Sequence, residues 1–287
     1  MTRQANPIYI FRSILTLILL YMVFLGYGQD IRVMTYNIRY DNPDDGPNAW
    51  THRKEKLCGL ILRELPDVAG IQEALYHQTT DLLKNLPAYE LFGVGRDDGK
   101  QSGEYAAILY LREKYERLDG GHFWLSAAPD LPGSMGWDAA CTRMVSWVRL
   151  RQQETGFTFF VFNTHFDHVG EKARIMSARL LKKMIKKIAK GERVILTGDF
   201  NCDIGSKAMK LLQRGKAGLK DSRRAANNVT GTPFTYTGFS TSGKPGNIID
   251  HILVPEKAVV TDYFIPCDSQ DGYYFSDHLP VVVKVIF

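Results

Sequence analysis

Residues 194–201 read Val-Ile-Leu-Thr-Gly-Asp-Phe-Asn, a short apolar run that ends in a polar turn. Four consecutive apolar or β-branched residues predict a strand that is buried on both faces. The polar residues that follow, Asp199 and Asn201, are types that hold a cation or orient a water molecule. A turn closed by Asx hydrogen bonds explains the same residues equally well, so this stretch alone predicts a strand end but no chemistry.

The same arrangement recurs at other predicted strands. Polar residues capable of binding a cation or a phosphate lie at the ends of strands over residues 31–36, 68–72, 157–162, 248–254 and 279–286; they are Asn37, Gln72-Glu73, Asn163-Thr164-His165, Asp250-His251 and Ser276-Asp277-His278. Further strands are predicted over residues 105–111 and 144–150, and helices over 50–65, 77–86 and 171–190. Because strand ends of a mixed sheet meet at one edge, six segments supply one predicted site.

The residue types at these ends suit hydrolysis of a phosphate ester. That reaction needs neutralised phosphoryl oxygens, an oriented water and a route for its proton. Carboxylate and amide oxygens, which Glu73, Asp277 and Asn37 offer, are the ligands that Mg²⁺ or Mn²⁺ prefers. We therefore predict a divalent metal site on these three residues, with Ca²⁺ as a further candidate ion.

Acid–base groups accompany the predicted ligands. Asp199 can orient and deprotonate water, and Asn201 can donate a hydrogen bond to the phosphoryl group. An imidazole that donates to the reacting phosphate needs a carboxylate to fix its tautomer, and Asp250 is the natural partner for His278. Each of these residues also has a structural explanation when it is considered alone. Glu73 is explained as an ordinary residue of a first helical turn, and His165 or His278 is explained as an ordinary hydrogen-bonded histidine.

Six motifs in this order resemble the endonuclease/exonuclease/phosphatase superfamily, which includes deoxyribonuclease I: Thr35-Tyr36-Asn37, Gln72-Glu73, Asn163-Thr164-His165, Gly198-Asp199-Phe200-Asn201, Ile249-Asp250-His251 and Ser276-Asp277-His278. An ordered set is far more specific than any one motif. The resemblance implies an α/β fold, a four-layer sandwich of two mainly antiparallel sheets flanked by helices. It also implies that Glu73 is the principal metal ligand and that His165 and His278 contact the scissile phosphate.

The branch of the superfamily is less defined. The segment around Asp199 lacks the tryptophan and arginine typical of inositol polyphosphate 5-phosphatases, which disfavours them. Residues 36–43, Trp50 with Arg53-Lys54, and residues 163–168 resemble an uncharacterised, often exported bacterial branch.

Candidate substrate contacts are Arg39, Arg53, Arg143 and His168, since planar guanidinium groups suit phosphate oxygens. Ion pairing at the surface or at a sheet edge explains each arginine as well.

The first 28 residues carry Arg3 and Arg12, an uncharged run over residues 14–25 and small residues ahead of Gln29. These features predict a secretory signal peptide cleaved near Gly28, and hence a periplasmic or secreted protein; an uncleaved anchor is the alternative. With both arginines removed, the net charge of +5 falls to about +3, too mild to indicate nucleic-acid binding.

The remaining 259 or so residues, 29–287, read as one domain near the upper size of a single core. Helix 171–190 is predicted to lie on a sheet with a solvated lysine face. The spacing of the four cysteines, Cys58, Cys141, Cys202 and Cys267, is not that of a zinc site. The sequence is compatible with disulfides and with free thiols.

Together these features predict an exported, metal-dependent phosphohydrolase, with phosphodiesters favoured over monoesters. Its expected partner is a phosphate ester: a nucleic acid, a phospholipid head group or a small phosphodiester. No obligate protein partner is evident, and a monomer is expected. The alternatives are a phosphomonoesterase on a sugar or inositol phosphate, and a catalytically silent protein that binds a phosphorylated ligand.

Overall fold

The computed structural model describes residues 29–215, 218–242 and 246–287. The predicted signal peptide, residues 1–28, lies outside them. Within the described residues, no helix is long and apolar enough to cross a membrane.

The strands of the described chain are β1 (Asp30–Asn37), β2 (Val68–Ala74), β3 (Tyr89–Phe92), β4 (Tyr105–Leu111), β5 (Tyr115–Trp124), β6 (Met144–Gln152), β7 (Thr158–His165), β8 (Val194–Asp199), β9 (Leu219–Asp221), β10 (Ala226–Gly231), β11 (Asp250–Pro255), β12 (Val259–Ile265), β13 (Ser269–Gln270), β14 (Tyr273–Tyr274) and β15 (Val281–Ile286). The helices are α1 (Trp50–Glu64), α2 (Tyr76–Asn85), α3 (Glu171–Ala189), α4 (Lys207–Gln213) and α5 (Ser222–Ala225), and a 3₁₀ segment spans Pro43–Asn48.

Two mixed sheets form the centre of the fold. The first has the order β10-β12-β15-β1-β2-β4-β3 and the second the order β5-β6-β7-β8-β11-β9. Most neighbours are antiparallel, but β1 with β2, β7 with β8, and β10 with β12 run parallel. The parallel pairs at the centre of each sheet are rich in Val and Ile because these strands are buried on both faces.

Three apolar layers hold the sheets and helices together. The layer between the two sheets includes Val33, Ile108 and Val161. On the outer face of the first sheet, α1 and α2 pack through residues such as Trp50, and on the outer face of the second, α3 and α4 pack through residues such as Leu181. This arrangement of helices, sheet, sheet and helices confirms the four-layer α/β sandwich.

Helix α3 is amphipathic, as its sequence predicts. Ala173, Ala178 and Leu181 are buried against the second sheet, whereas Lys183, Lys186 and other cations of the opposite face are exposed. The apolar positions recur at helical spacing, which is what places them on one side.

Some elements are absent from the sequence prediction. Strand β5 contains Gly120-Gly121 and several charged residues, so its sequence lacks the apolar run of a buried strand. Strand β12 alternates between exposed and buried residues, and β10 is largely exposed. These strands depend on pairing with their neighbours rather than on their own composition.

The topology places six strand ends at one edge of the sandwich. Parallel β1 and β2 end there, and so do parallel β7 and β8. Strand β11 runs antiparallel to β8 and begins there with Asp250 opposite Asp199, and β15, antiparallel to β1, follows the segment that ends with His278. The predicted convergence of the six segments is confirmed.

The two sheets approach each other closely beneath this edge. Gly70 of β2 faces the second sheet, and a Cβ atom there would lie 2.1 Å from Thr197 Oγ1 and 2.5 Å from Asn163 Oδ1. Both neighbours are fully buried and hydrogen-bonded to each other at 3.1 Å, so neither can move aside freely. Any side chain at residue 70 would push the sheets apart.

Gly70→Ala should therefore lower the free energy of unfolding by on the order of 3 kcal/mol, the upper range for overpacking a core. Gly59→Ala is the matched control: Gly59 is an exposed residue of α1 with open space around its Cα. That substitution should raise the free energy by about 0.5–1 kcal/mol because alanine favours the helix. Urea denaturation measures both, and equal effects of the two substitutions would contradict the close approach.

Candidate active site

The carboxylate of Asp199 lies at the centre of the edge where the six segments meet. Its Oδ2 accepts a hydrogen bond from Asn37 Nδ2 at 3.0 Å, and its Oδ1 accepts one from the backbone amide of Asn201 at 2.9 Å. His165 Nε2 and His278 Nε2 lie 3.4 and 3.7 Å from Oδ2. The predicted base is thus surrounded by the predicted phosphate-binding residues.

Burial and, after it, the neighbouring Asp250 carboxylate raise the pKa of Asp199 to about 7 against the opposing effect of His278. A carboxylate whose pKa lies near neutrality both accepts and releases a proton readily, which is the property of a general base.

His278 and Asp250 form a buried pair. His278 Nδ1 lies 2.8 Å from Asp250 Oδ2, and both side chains are almost inaccessible to solvent. Burial lowers the pKa of His278, but Asp250 and then Asp199 raise it by more, so this pKa lies well above its ordinary value. His278 is therefore an imidazolium at neutral pH, with Nε2 left to donate toward the centre of the site.

His165 has the opposite protonation state. Burial, together with the positive charges of Arg143 and Arg96, lowers its pKa well below the ordinary value. Asn201 Nδ2 lies 3.0 Å from His165 Nε2, and an amide nitrogen can only donate. Nε2 is therefore the acceptor, and the proton of the neutral ring sits on Nδ1.

The predicted metal ligands also lie together. Asn37 Nδ2 donates to Glu73 Oε1 at 2.9 Å, and the Ser276 hydroxyl, beside Asp277, donates to the backbone carbonyl of Asn37 at 2.8 Å. In this arrangement the Asn37 oxygen accepts from the amide of Arg39, so its nitrogen rather than its oxygen faces Glu73. Ligation through Asn37 requires the opposite amide orientation.

The donor set suits a hard cation. Burial raises the pKa of Asp277, and the nearby Glu73 carboxylate raises it further against His278. Carboxylate oxygens such as those of Glu73 and Asp277 are ligands that Mg²⁺ prefers, and a bound cation would favour the charged form of Asp277. Glu73 is partly exposed, so an ion can reach it from solvent.

Arg143 and His168 lie beside His165. Arg143 is 6% exposed and its Nη2 lies 3.1 Å from His168 Nδ1. Its Nε and Nη1 have no hydrogen-bond partner within the described residues, although Glu104 and Asp167 lie 4.0 and 3.8 Å away. A buried guanidinium with free donors is a suitable ligand for a phosphoryl oxygen.

Arg39 lies at the metal side of the site. Its guanidinium forms two hydrogen bonds of 3.0 Å with Asp45, and Nη1 lies 3.8 Å from Asp277. Arg39 is near enough to contact a bound substrate, but two of its guanidinium hydrogen bonds already go to Asp45.

The proposed substrate contact at Arg53 is wrong. This side chain is 4% exposed, and its guanidinium donates to backbone carbonyls of Asn48, Ile38, Arg39 and Phe275. A guanidinium whose donors are committed to backbone carbonyls stabilises the loop that carries Arg39 and has little left to offer a phosphate.

Two functional-site residues were not predicted from the sequence. Glu104, just ahead of β4, lies 3.9 Å from His165 Nδ1 and 2.6 Å from Arg96 Nη1. Burial raises the pKa of Glu104 to about 7 against the positive charge of Arg96. Glu104 directly precedes the predicted strand over residues 105–111, so its position offered the same signal as that of Asp277, whereas Arg96 lies at no predicted strand end.

The four cysteines are all unpaired, with Cys58 buried and Cys267 exposed. Cys141 lies in a cluster with Asp167 and His168. The Asp167 carboxylate accepts hydrogen bonds from four backbone amides, those of Ala140, Cys141, Val169 and Gly170. These bonds account for the Asp167 carboxylate as a structural group that ties the loop around Ala140 to the turn ahead of α3.

Comparison with known proteins identifies the architecture. An endonuclease/exonuclease/phosphatase from Bacteroides vulgatus is 41% identical, with a TM-score of 0.86, 90% of this chain covered and 98% of that one. A mannosyl-6-phosphatase from Bacteroides thetaiotaomicron is 35% identical, with a TM-score of 0.85 and coverage of 90% and 100%. An uncharacterised protein of Acanthamoeba polyphaga mimivirus is 29% identical over 257 residues, which is 82% of this chain and 91% of that protein.

The model of the Endonuclease/Exonuclease/phosphatase family matches residues 34–278, which include every predicted metal and acid–base residue. Asp199, Asp250 and His278, whose ligand atoms all lie within 4.8 Å of one another, form a buried group consistent with the metal site of that family. The chain therefore belongs to the endonuclease/exonuclease/phosphatase family, and it is a phosphohydrolase of that family.

Proposed function

We propose that this protein is an exported, divalent-metal-dependent phosphatase that removes the terminal phosphoryl group of a phosphorylated sugar. The observation that carries the proposal is the buried Arg143 guanidinium beside His165, with Nε and Nη1 unpartnered within the described residues. A monoester phosphate carries about two negative charges at neutral pH, whereas a diester carries one. A buried cation with free donors offsets the extra charge of the monoester.

The space at Arg143 also favours a terminal phosphoryl group. The cleft between Arg96, Glu104, Arg143 and His165 holds only about 10 Å³ of free volume. That is room for one water molecule or one phosphoryl oxygen.

The similarity to the mannosyl-6-phosphatase supports the sugar phosphate. That protein is similar over its whole length at 35% identity, and its name describes hydrolysis of a phosphate monoester on a sugar. The phosphodiesterase that the motif pattern favours is the main alternative, and a silent phosphate-binding protein is the other.

Each side chain has a distinct role in the proposed reaction. Asp199 orients the attacking water and takes its proton, since its pKa lies near 7. His278, charged and held by Asp250, donates from Nε2 to the phosphoryl oxygens, where negative charge accumulates. Asn201 and His165 bind the phosphoryl group from the second sheet, with Arg143 beside them.

Glu73 and Asp277 would hold the metal, with Asn37 after reorientation of its amide. We propose Mg²⁺ or Mn²⁺, with Ca²⁺ as a further candidate, because all the donor atoms are oxygens. The bound ion supplies charge neutralisation at the phosphoryl and leaving-group oxygens.

The proposed export is separately testable. When the full chain is produced in a bacterium with a secretory pathway, the protein recovered from the periplasm or medium should begin at Gln29. Intact mass measurement checks this, and a mature mass that retains residues 1–28 would contradict cleavage near Gly28.

Residues 29–287 should hydrolyse mannose 6-phosphate and glucose 6-phosphate faster than bis-p-nitrophenyl phosphate, DNA or a phospholipid. Activity should disappear in excess EDTA and return with Mg²⁺ or Mn²⁺. Asp199→Asn and Glu73→Gln should each lower kcat by about 10²- to 10⁴-fold, since they remove the base and the principal ligand. Release of inorganic phosphate is the measurement.

The matched control is Glu256→Gln, which changes an exposed carboxylate just after β11, at the opposite end of that strand from Asp250. Faster hydrolysis of a diester than of every monoester would overturn the phosphatase in favour of the phosphodiesterase. Tight binding of sugar phosphates in calorimetry without turnover of any ester would favour the silent binding protein.

Asp250→Asn should lower kcat by about 10²-fold or more and change the pH profile. The wild-type carboxylate raises the pKa of His278, so the required imidazolium persists to high pH. The uncharged asparagine side chain does not stabilise the imidazolium in this way, so the pKa of His278 falls. The alkaline limb of kcat should therefore move to lower pH.

The control is Asp262→Asn, an exposed aspartate of β12, which should leave the profile unchanged. An Asp250→Asn variant with reduced kcat but an unmoved alkaline limb would show that Asp250 does not control the charge of His278.

A further inference from the structure

Tyr236 is an exposed aromatic residue in direct contact with the predicted acid–base histidine. Its ring centroid lies 5.2 Å from that of His278, with the rings 69° apart in an edge-to-face arrangement. The tyrosine is 44% exposed, whereas the histidine is 4% exposed. Tyr236 therefore covers His278 on one side and presents aromatic surface to solvent on the other.

The backbone holds Tyr236 in this place. It forms an isolated β-bridge with His278, and the residues on both sides of it are anchored by hydrogen bonds. Thr237 donates to the carbonyl of Asp277 from its amide at 2.7 Å and from its hydroxyl at 3.0 Å. The hydroxyl of Thr235 accepts from the amide of Asp250 at 3.3 Å. The segment is thus hydrogen-bonded both to Asp277, a predicted metal ligand, and to Asp250, the partner of His278.

A glycine supports the side chain from behind. The amide of Gly246 donates to the carbonyl of Tyr236 at 3.0 Å, and a Cβ at residue 246 would lie 3.2 Å from both Cβ and Cδ1 of the tyrosine. The ring therefore lies between Gly246 and His278. An exposed tyrosine of an ordinary surface has no such support, and its freedom to rotate would make it a poor binding surface.

We propose that Tyr236 determines substrate specificity by packing its exposed face against the sugar ring of the leaving alcohol. The proposal rests on the proposed function, because it assumes a sugar phosphate. In the proposed reaction His278 Nε2 donates to the phosphoryl group. The alcohol attached to that group therefore lies close to Tyr236, which covers His278. A flat, rigid aromatic face binds the C–H face of a sugar ring at little entropic cost.

The test compares two monoesters that differ only in the alcohol: mannose 6-phosphate and methyl phosphate. Tyr236→Ala should lower kcat/KM for mannose 6-phosphate by about tenfold more than for methyl phosphate, mainly through KM. Tyr236→Trp and Tyr236→Phe should restore most of the difference, because each retains an aromatic face. Gly246→Val, which displaces the ring without altering it, should change the ratio in the same direction as Tyr236→Ala.

The matched control is Tyr273→Ala, since Tyr273 is also 44% exposed but lies in the β13–β14 hairpin. It should leave both rate constants unchanged. An equal loss for the two esters in Tyr236→Ala would overturn the inference and make Tyr236 a structural cover of His278. A wild type that hydrolyses methyl phosphate or diesters but no hexose phosphate would overturn the proposed function, and the inference with it.

Discussion

The buried side chain of Asn163 joins the two sheets directly beneath the active site, and the geometry of the site depends on it. Its Oδ1 accepts from Gln72 Nε2 at 2.6 Å and from Thr197 Oγ1 at 3.1 Å, and its Nδ2 donates to the carbonyls of Ile71 and Ala107 at 2.9 and 2.7 Å. An amide with all four hydrogen bonds made is stable in a core, and one with a bond missing is costly. Its partners therefore fix both the distance between the sheets and their register. Glu73, His165 and Asp199 each lie within two residues of this network.

The direction of Glu73, the proposed principal metal ligand, is set by a strained backbone conformation. Gln72 pairs with Ala106 and Ala74 with Tyr105, so Glu73 is the extra residue of a β-bulge in β2. Its φ of 67° lies in the left-handed region, where a bulge usually has glycine. A regular strand would direct Glu73 to the face opposite that of Gln72, toward the helices, whereas the bulge turns it to the edge where the site lies. Such strain costs on the order of 1–3 kcal/mol, which the surrounding hydrogen bonds offset.

The sequence predicted the parts of this protein whose signal is local. Strands such as β8 and helices such as α3 contain their own periodicity, and the polar residues at their ends, Asp199 among them, could be read directly. Glu104 also lies at the start of a predicted strand, but only its approach to His165 across the sandwich connects it to the site. Arg53 was misjudged for the same reason: a guanidinium suits a phosphate, and only its burial among backbone carbonyls reveals the structural role. Residue type indicates what a side chain can do, whereas partners decide what it does.

The two active-site histidines show how strongly neighbouring groups determine the charge of a side chain. Both rings are buried and both lie within 4 Å of Asp199, yet their pKa values move in opposite directions. Burial lowers the pKa of both rings, but the charges of Asp250 and Asp199 more than offset it at His278, whereas Arg143 and Arg96 add to it at His165. In the proposed reaction, the charged His278 donates a hydrogen bond to the phosphoryl group. His165 stays neutral beside two arginines that already supply positive charge. If both rings were charged, they would repel each other and the nearby arginines. If both were neutral, with the His278 proton held on Nδ1 by Asp250, the Nε2 of His278 would no longer donate toward the centre of the site.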